Sequence, residues 1–165
     1  MPEENTKKLA FIGILIASVI FISVFVIPYL VIPPEEIPKP TLAEGMPVEA
    51  RHIDYLVKRL GAGRLLIVPG SGRSPEMEML VIPANSYFTV TVQNGIATAR
   101  AGRASDPDIR LTGDREVVAR LLSADDILAE VKRLNEEGKV TLEMLRDREE
   151  LIMIGYESLY NELTK

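Results

Sequence analysis

The stretch YFTVTVQNGIATARA, residues 87–101, decides the fold class because it encodes two strands joined by a tight turn. Phe88, Val90 and Val92 alternate with threonines, which is the period-two pattern of a strand with one buried face. Asn94-Gly95 follows, and a two-residue hairpin turn needs residues that tolerate positive φ at both of its central positions. Residues 96–101 are therefore predicted to return as the antiparallel partner of residues 87–92.

Outward from this hairpin, short apolar runs between turn residues predict the rest of a sheet. Residues 77–82 precede the hairpin, and residues 108–112 and 139–145 follow it. The apolar run at 64–68 is bounded by Gly63 and Pro69-Gly70, which suits a further short buried strand.

The other long segments after residue 47 show helical periodicity. Apolar residues recur every three or four positions in four segments, and this spacing places them on one face of a helix. Ser123 is predicted to cap the third helix, Gly138 to end it, and Asp147 to open the last one. The predicted helices span residues 48–60, 114–122, 123–137 and 147–163. Together these elements predict an α+β domain with a five-stranded, mostly antiparallel sheet covered by helices.

The N-terminal region carries 24 consecutive residues, 9–32, without a charged side chain. A bilayer-spanning helix needs about 20 apolar residues, so this segment is predicted to be one uncleaved transmembrane helix. Lys7 and Lys8 precede it, which predicts a cytoplasmic tail at residues 1–8 and an extracytoplasmic C-terminal domain in a cell membrane. Residues 33–47 hold five prolines and are interpreted as a stiff stalk, with a disordered linker as the alternative, which leaves residues 48–165 as the folded domain.

Composition excludes several classes of function. The chain has 19 basic and 24 acidic side chains and a net charge of −5, which argues against nucleic-acid binding. It contains no cysteine, so disulfides, thiol catalysis and thiolate metal sites are excluded. One histidine, His52, cannot form a histidine-rich metal centre, and we predict neither a metal nor a cofactor.

From residue 87 onward the chain resembles the sterol carrier protein-2 (SCP2) family. The resemblance is carried by the hairpin at 88–95, by Asp-Pro-Asp-Ile-Arg-Leu-Thr at 106–112, by the helix at 116–122 and by Gly-Lys-Val-Thr-Leu at 138–142, before a terminal amphipathic helix. Roughly 80 residues are covered, and the order and spacing of these segments is what resembles the family. The resemblance implies an SCP2-like fold with an apolar cavity between sheet and helices that accepts a lipid or another apolar small molecule.

Apolar residues at these periods are core residues by default, and the resemblance makes ten of them candidates for the cavity lining. The candidates are Ile109, Leu111, Val118, Leu122, Ile127, Val131, Leu142, Met144, Ile152 and Tyr156. Tethering by residues 9–32 then predicts a membrane-anchored binding domain whose partners are the bilayer and an apolar ligand. The alternative is a domain with a filled core that displays an interaction surface to a membrane protein partner.

An enzyme is the weakest of the three readings, and no catalytic residue is predicted. Gly-Ser-Gly-Arg-Ser at 70–74 lacks the Gly-Lys-Ser/Thr ending of a phosphate-binding loop and is not a Gly-x-Ser-x-Gly nucleophile motif. His52 and Asp54 are two residues apart on a helix and do not share a face. Asp106 and Asp108 flank Pro107, where aspartate is common for turn geometry.

Overall fold

The structure is a computed structural model that describes residues 38–68 and 70–164. Five strands form one sheet in the order β3-β2-β1-β4-β5. β1 pairs with β4 in parallel, and the other three neighbouring pairs are antiparallel. The predicted α+β class and mostly antiparallel sheet are therefore confirmed. The strands are β1 (Glu76–Ile82), β2 (Ser86–Gln93), β3 (Ile96–Ala101), β4 (Ile109–Asp114) and β5 (Thr141–Met144).

The hairpin between β2 and β3 turns where the sequence predicts it. Asn94 and Gly95 have φ angles of 51° and 78°, and Gln93 pairs with Ile96 across the turn. Positive φ at both central positions matches the right-handed twist of the flanking strands, so this turn fixes the register of the hairpin.

One face of the sheet is apolar and lies under the helices. Met77 of β1 stands between Val90 of β2 and Ile109 of β4, and all three side chains are buried. Successive residues of a strand point to opposite faces, so Glu76 and Glu78 project from the other side.

The opposite face buries carboxylates beneath the connection between β3 and β4. The Ala104 N–H donates to Glu78 Oε2 at 3.2 Å, and the Asp106 N–H donates to Glu76 Oε2 at 3.0 Å. Arg110 on the adjacent strand donates from Nε to Glu78 Oε1 at 2.7 Å. A buried carboxylate is costly unless it is paired and hydrogen-bonded, so these contacts make the burial of Glu78 tolerable.

Five α-helices accompany the sheet within the described residues. Asp114 caps α2 by accepting from the Val117 N–H at 2.8 Å, and Asp126 caps α3 by accepting from the Ala129 N–H at 3.0 Å. Gly138 follows α3 with a φ of 66°, as predicted for its C-terminal end. The helices are α1 (Ala50–Arg59), α2 (Arg115–Ser123), α3 (Ile127–Glu136), α4 (Arg148–Ile154) and α5 (Tyr156–Thr164).

Three local predictions are wrong. Ser123 is not a cap, because its hydroxyl donates back to the Ala119 carbonyl within α2 at 2.8 Å. Residues 64–68 are not a strand, because the Leu66 and Val68 N–H groups donate to the carbonyls of Ile154 and Arg73 rather than to a strand partner. The predicted terminal helix is two helices, because Gly155 adopts a φ of 100° and ends α4.

The end of the predicted stalk is bonded to the folded domain. Arg115 donates to the carbonyls of Met46 and Ala43, and His52 Nε2 lies 3.3 Å from the Thr41 carbonyl. Described residues from Pro38 onward belong to one compact unit. The chain is thus held against the domain from Thr41, seven residues before the predicted domain boundary.

The predicted transmembrane helix at 9–32 and the cytoplasmic tail at 1–8 lie outside the described residues. Over residues 38–68 and 70–164, none of the helices has both the length and the apolar composition to cross a bilayer.

Candidate functional site: an apolar cavity

An apolar cavity of about 370 Å³ lies between the sheet and the helices. Its floor is the apolar face of β1, β4 and β5, and its walls come from α1, α2, α4 and α5. The lining residues are Leu56, Val57, Leu60, Ala62, Met77, Met79, Ile109, Leu111, Leu121, Leu142, Met144, Arg148, Leu151, Ile152, Tyr156, Glu157, Leu159 and Asn161.

Six of the ten residues predicted as lining do meet at this cavity. They are Ile109, Leu111, Leu142, Met144, Ile152 and Tyr156. Their register explains the convergence, since Leu142 on β5 pairs with Leu111 on β4, and Met144 pairs with Ile109. Whether any of them contacts a ligand stays a prediction.

The other four predicted residues are buried elsewhere. Val118 and Leu122 lie on α2, and Ile127 and Val131 lie on α3, all of them less than a tenth exposed. They do not line the cavity. Apolar periodicity identifies a buried face, but it does not tell which buried face borders a cavity and which one packs against a neighbouring helix.

Sequence reasoning missed the contributions of α1 and β1. Leu56 and Val57 form part of the apolar stripe of α1, and Met77 and Met79 occupy alternate positions of β1. The parallel pairing of Met77 with Ile109 and of Met79 with Leu111 brings β1 to the cavity floor. The signal available in the sequence was the pair of methionines on one strand face, since flexible thioethers suit an adaptable site.

The mouth of the cavity combines apolar and polar side chains. Met144 and Ile152 line the cavity but remain 50% and 43% exposed, which places them at its opening. Arg148 Nη2 lies 3.4 Å from Glu157 Oε1, and Asn161 follows Glu157 by one turn of α5. The polar groups therefore lie where a ligand would meet water, while its interior would contact methyl and methylene groups.

Tyr156 connects the cavity wall to a buried carboxylate. Its hydroxyl donates to Asp108 Oδ2 at 3.2 Å, and both side chains are buried. Burial, together with the negative charge of Asp108, raises the pKa of the Tyr156 phenol, which stays protonated and donating. The aromatic ring is thus presented to the cavity while its polar end is satisfied elsewhere.

Asp108 is the centre of this polar cluster. Arg73 Nη2 donates to Asp108 Oδ1 at 2.5 Å, and the Glu76 N–H donates to Oδ2 at 2.8 Å. Arg73 also donates to Glu150 Oε1 at 3.2 Å, which ties the connection before β1 to α4. Hydrogen bonding to Asp108, opposed in part by burial, raises the pKa of the Arg73 guanidinium. The predicted turn role of Asp108 is therefore too narrow, because its side chain joins β1 to α5 and also holds Arg73, which reaches α4.

Arg146 is a second cation beside this cluster. It forms an ion pair with Asp106, and its Nε lies 3.7 Å from Asp108 Oδ1. Its buried Nε and Nη2 atoms lack a hydrogen bond of good geometry. We regard Arg146 as electrostatically paired, since its charge faces two carboxylates at short range.

The residues weighed for catalysis have structural roles. His52 is fully buried, and its Nδ1 accepts from the Glu49 N–H at 2.9 Å. Asp54 accepts from the Ala99 N–H at 3.0 Å and pairs with Lys58, so it does not form a dyad with His52. In the described part of the chain, no cluster of three or more His, Asp or Glu residues could hold a metal ion.

Comparisons with known proteins give partial likenesses. No family model matches the chain, and no curated protein matches it. A solved structure of UbiJ-SCP2, a ubiquinone synthesis protein, is similar over 66% of this chain and 90% of its own, at 12% identity and a TM-score of 0.40. Palmitated SCP2L2 from Aedes aegypti is similar over 70% of this chain and 96% of its own, at 17% identity and a TM-score of 0.39.

A third neighbour is an enzyme. The sec-alkylsulfatase Pisa1 from Pseudomonas sp. is similar over 62% of this chain, at 18% identity and a TM-score of 0.36. This chain spans only 15% of the sulfatase chain. Each of the three likenesses concerns part of the backbone, and no activity or ligand follows from them for this protein.

Proposed function

We propose that this protein binds a lipid or another apolar small molecule in the cavity between its sheet and helices. The observation that carries the proposal is the cavity itself, which combines a volume of about 370 Å³ with a lining that is apolar except at the mouth. Ligand sites in proteins typically occupy about 300–1,000 Å³ and are lined mostly by apolar side chains.

Removal of the ligand from water would supply the affinity. Each buried CH2 contributes about 0.8 kcal/mol, so eight methylenes contribute about 6 kcal/mol before the costs of association. Met77, Met79 and Met144 contribute three thioethers to the lining, and these flexible side chains would adapt to ligands of different shape.

We infer that the domain acts by binding and not by catalysis. The ionisable groups at the cavity are Arg148 and Glu157 at the mouth and Tyr156, whose hydroxyl is engaged by Asp108. Among the described residues that line the cavity, none is an activated nucleophile, and no acid–base pair faces the interior. The alternative of a displayed interaction module with a filled core is disfavoured by the cavity volume.

The place of action follows from the sequence. We propose that residues 9–32 anchor the chain in a cell membrane with the N-terminus in the cytoplasm and the binding domain on the outer side. The apolar span and its preceding lysines support this part of the proposal. A tethered domain would take up or present its ligand at one leaflet and would not carry it through water.

Titration with an apolar fluorophore tests the binding proposal. Met79→Trp would place a bulky ring on the cavity floor and is expected to abolish saturable binding, because the added atoms occupy ligand volume. Ile96→Trp is the matched control, because Ile96 is 62% exposed on β3 and does not line the cavity. Native mass spectrometry of the purified wild-type protein should also detect a co-purified apolar molecule.

The proposal fails if the wild-type protein neither carries a bound apolar molecule nor saturates with the fluorophore. It also fails if Met79→Trp binds as well as Ile96→Trp while both variants remain folded. Because the chain contains no tryptophan, each variant also supplies its own fluorescent report of local environment.

A further inference from the structure

Five large apolar side chains are exposed on β5, on α4 and on the segment after α1 that is hydrogen-bonded to α4. We refer to these residues as the apolar rim. Its members, with their exposed fractions, are Leu66 (60%), Ile67 (53%), Met144 (50%), Ile152 (43%) and Met153 (53%).

The rim is continuous with the cavity. Met144 and Ile152 belong to the rim and also line the cavity. The Leu66 N–H donates to the Ile154 carbonyl at 2.8 Å, which holds the segment after α1 against the end of α4. Leu65 packs 3.9 Å from the position that a Cβ atom on Gly155 would occupy. The segment that carries Leu66 and Ile67 therefore lies against the end of α4, the helix that carries Ile152 and Met153.

A compact surface rarely exposes large apolar side chains in one group without a partner. From this group we infer that the apolar rim docks onto a lipid bilayer surface, so that the cavity mouth opens against the membrane. The inference rests on the proposed function, since it describes the route by which an apolar ligand enters the cavity.

The sequence that precedes the domain favours a bilayer as the partner of the apolar rim. Residues 9–32 carry no charge and are long enough to span a bilayer, and Thr41 is already held by the domain through His52. The eight residues 33–40 between them reach at most about 28 Å when fully extended. A bilayer surface would then always be within reach of the domain, at a local concentration that no soluble partner attains.

The charges near the rim specify the kind of surface. Arg148 is 80% exposed and is accompanied by Glu149, which is exposed, and by Glu157. This mixture of signs gives no preference for anionic lipid, so a zwitterionic phosphatidylcholine surface suffices. Insertion of the apolar side chains into the interfacial region supplies the attraction.

Site-directed fluorescence on the full chain tests the docking. The chain lacks cysteine, so Met153→Cys and Ile67→Cys each introduce one attachment point for an environment-sensitive label. Ile96→Cys is the control, because Ile96 on β3 is 62% exposed, at least as much as Met153 and Ile67, and is not part of the rim. In phosphatidylcholine liposomes we expect the emission of labels at 153 and 67 to shift to the blue and to be quenched by brominated lipid. The emission of the label at 96 should show neither change.

Dilution of the labelled chain in the bilayer, by raising the lipid-to-protein ratio, separates lipid contact from self-association. A blue shift that survives dilution together with bromolipid quenching supports the bilayer, whereas a shift lost on dilution assigns the rim to a second copy and overturns the proposal. Equal behaviour of all three labels also overturns it.

A charged rim variant separates this inference from the proposed function. Met153→Asp should slow uptake of a fluorescent lipid from the liposome several-fold while leaving uptake of an apolar fluorophore delivered by cyclodextrin unchanged. Unchanged uptake from the liposome refutes the docking alone. Absence of uptake by either route in the wild-type chain refutes ligand binding itself.

Discussion

Asp108→Ala is the substitution expected to affect stability most, because it removes the centre of the polar cluster next to the cavity. Asp108 is fully buried and accepts from Arg73, from the Glu76 N–H and from the Tyr156 hydroxyl. Breaking a buried ion pair by removing one partner costs about 3–5 kcal/mol. Arg73 keeps Glu150 at 3.2 Å, which lowers the cost, while the orphaned Glu76 N–H raises it by about 1–3 kcal/mol. We expect a loss of about 3–5 kcal/mol.

Urea unfolding followed by circular dichroism measures this loss at neutral pH. Asp125→Ala is the control, because Asp125 is exposed between α2 and α3 and its replacement should change stability by less than about 0.5 kcal/mol. Tyr156→Phe isolates one of the three bonds and should cost about 1–2 kcal/mol. A loss below about 1 kcal/mol for Asp108→Ala would show that the cluster does not hold the cavity wall, and the reasoning would be wrong.

Two further predictions concern substitutions of Glu130 and of Gly63. Hydrogen bonds, chiefly from Arg133 and also from Arg120, hold the pKa of Glu130 on α3 below its ordinary value. This stabilisation is present above the unfolded pKa and is lost as the pH falls through the folded pKa, so the thermal midpoint of Glu130→Gln should fall less steeply in acid than that of the wild type. Gly63→Ala should lower stability by about 1–3 kcal/mol in a urea titration, because a Cβ atom would lie 2.3 Å from the Gly95 carbonyl oxygen.

Each of these results has a contrary outcome. Parallel acid profiles for Glu130→Gln and the wild type would mean that the ion pairs of Glu130 with Arg133 and Arg120 contribute nothing in solution. Gly113→Ala is the comparison for Gly63→Ala, because its Cβ atom would meet the movable side chain of Val117 at 3.2 Å. If Gly113→Ala were the more damaging of the two, the close approach of residue 63 to the hairpin would not limit stability.

The elements that the sequence predicts well are those set by local chemistry. Asn94-Gly95 specifies its turn without help from distant residues, and the alternation of Phe88, Val90 and Val92 specifies the buried face of β2. The strand predicted at 64–68 is wrong because an apolar run indicates burial and not pairing. Leu65 and Val68 are buried there, but their neighbours point to solvent.

The cavity and its polar cluster depend on contacts between distant parts of the chain. Asp108 meets Arg73 across 35 positions and Tyr156 across 48 positions, so turn chemistry around Pro107 could not reveal either partner. In the sequence, only Gly155 indicates the break between α4 and α5, and a single glycine is often tolerated within a helix. The six cavity residues that were predicted lie on β4, β5, α4 and α5. The contribution of β1 depends on the sheet order, and that of α1 depends on how this helix packs on the sheet.

The parallel pairing of β1 with β4 also has a consequence for how the chain folds. Short turns join β1, β2 and β3, so these strands pair between residues that are close in sequence. Met77 and Ile109, in contrast, are separated in sequence by the whole β2–β3 hairpin. Contacts between distant positions form more slowly because the loop entropy is lost before they are made. The β1–β2–β3 meander is expected to assemble early, and the floor of the cavity is completed only when β4 and β5 arrive. A nascent chain would then expose apolar surface at this site until β4 and β5, residues 109–144, have been added.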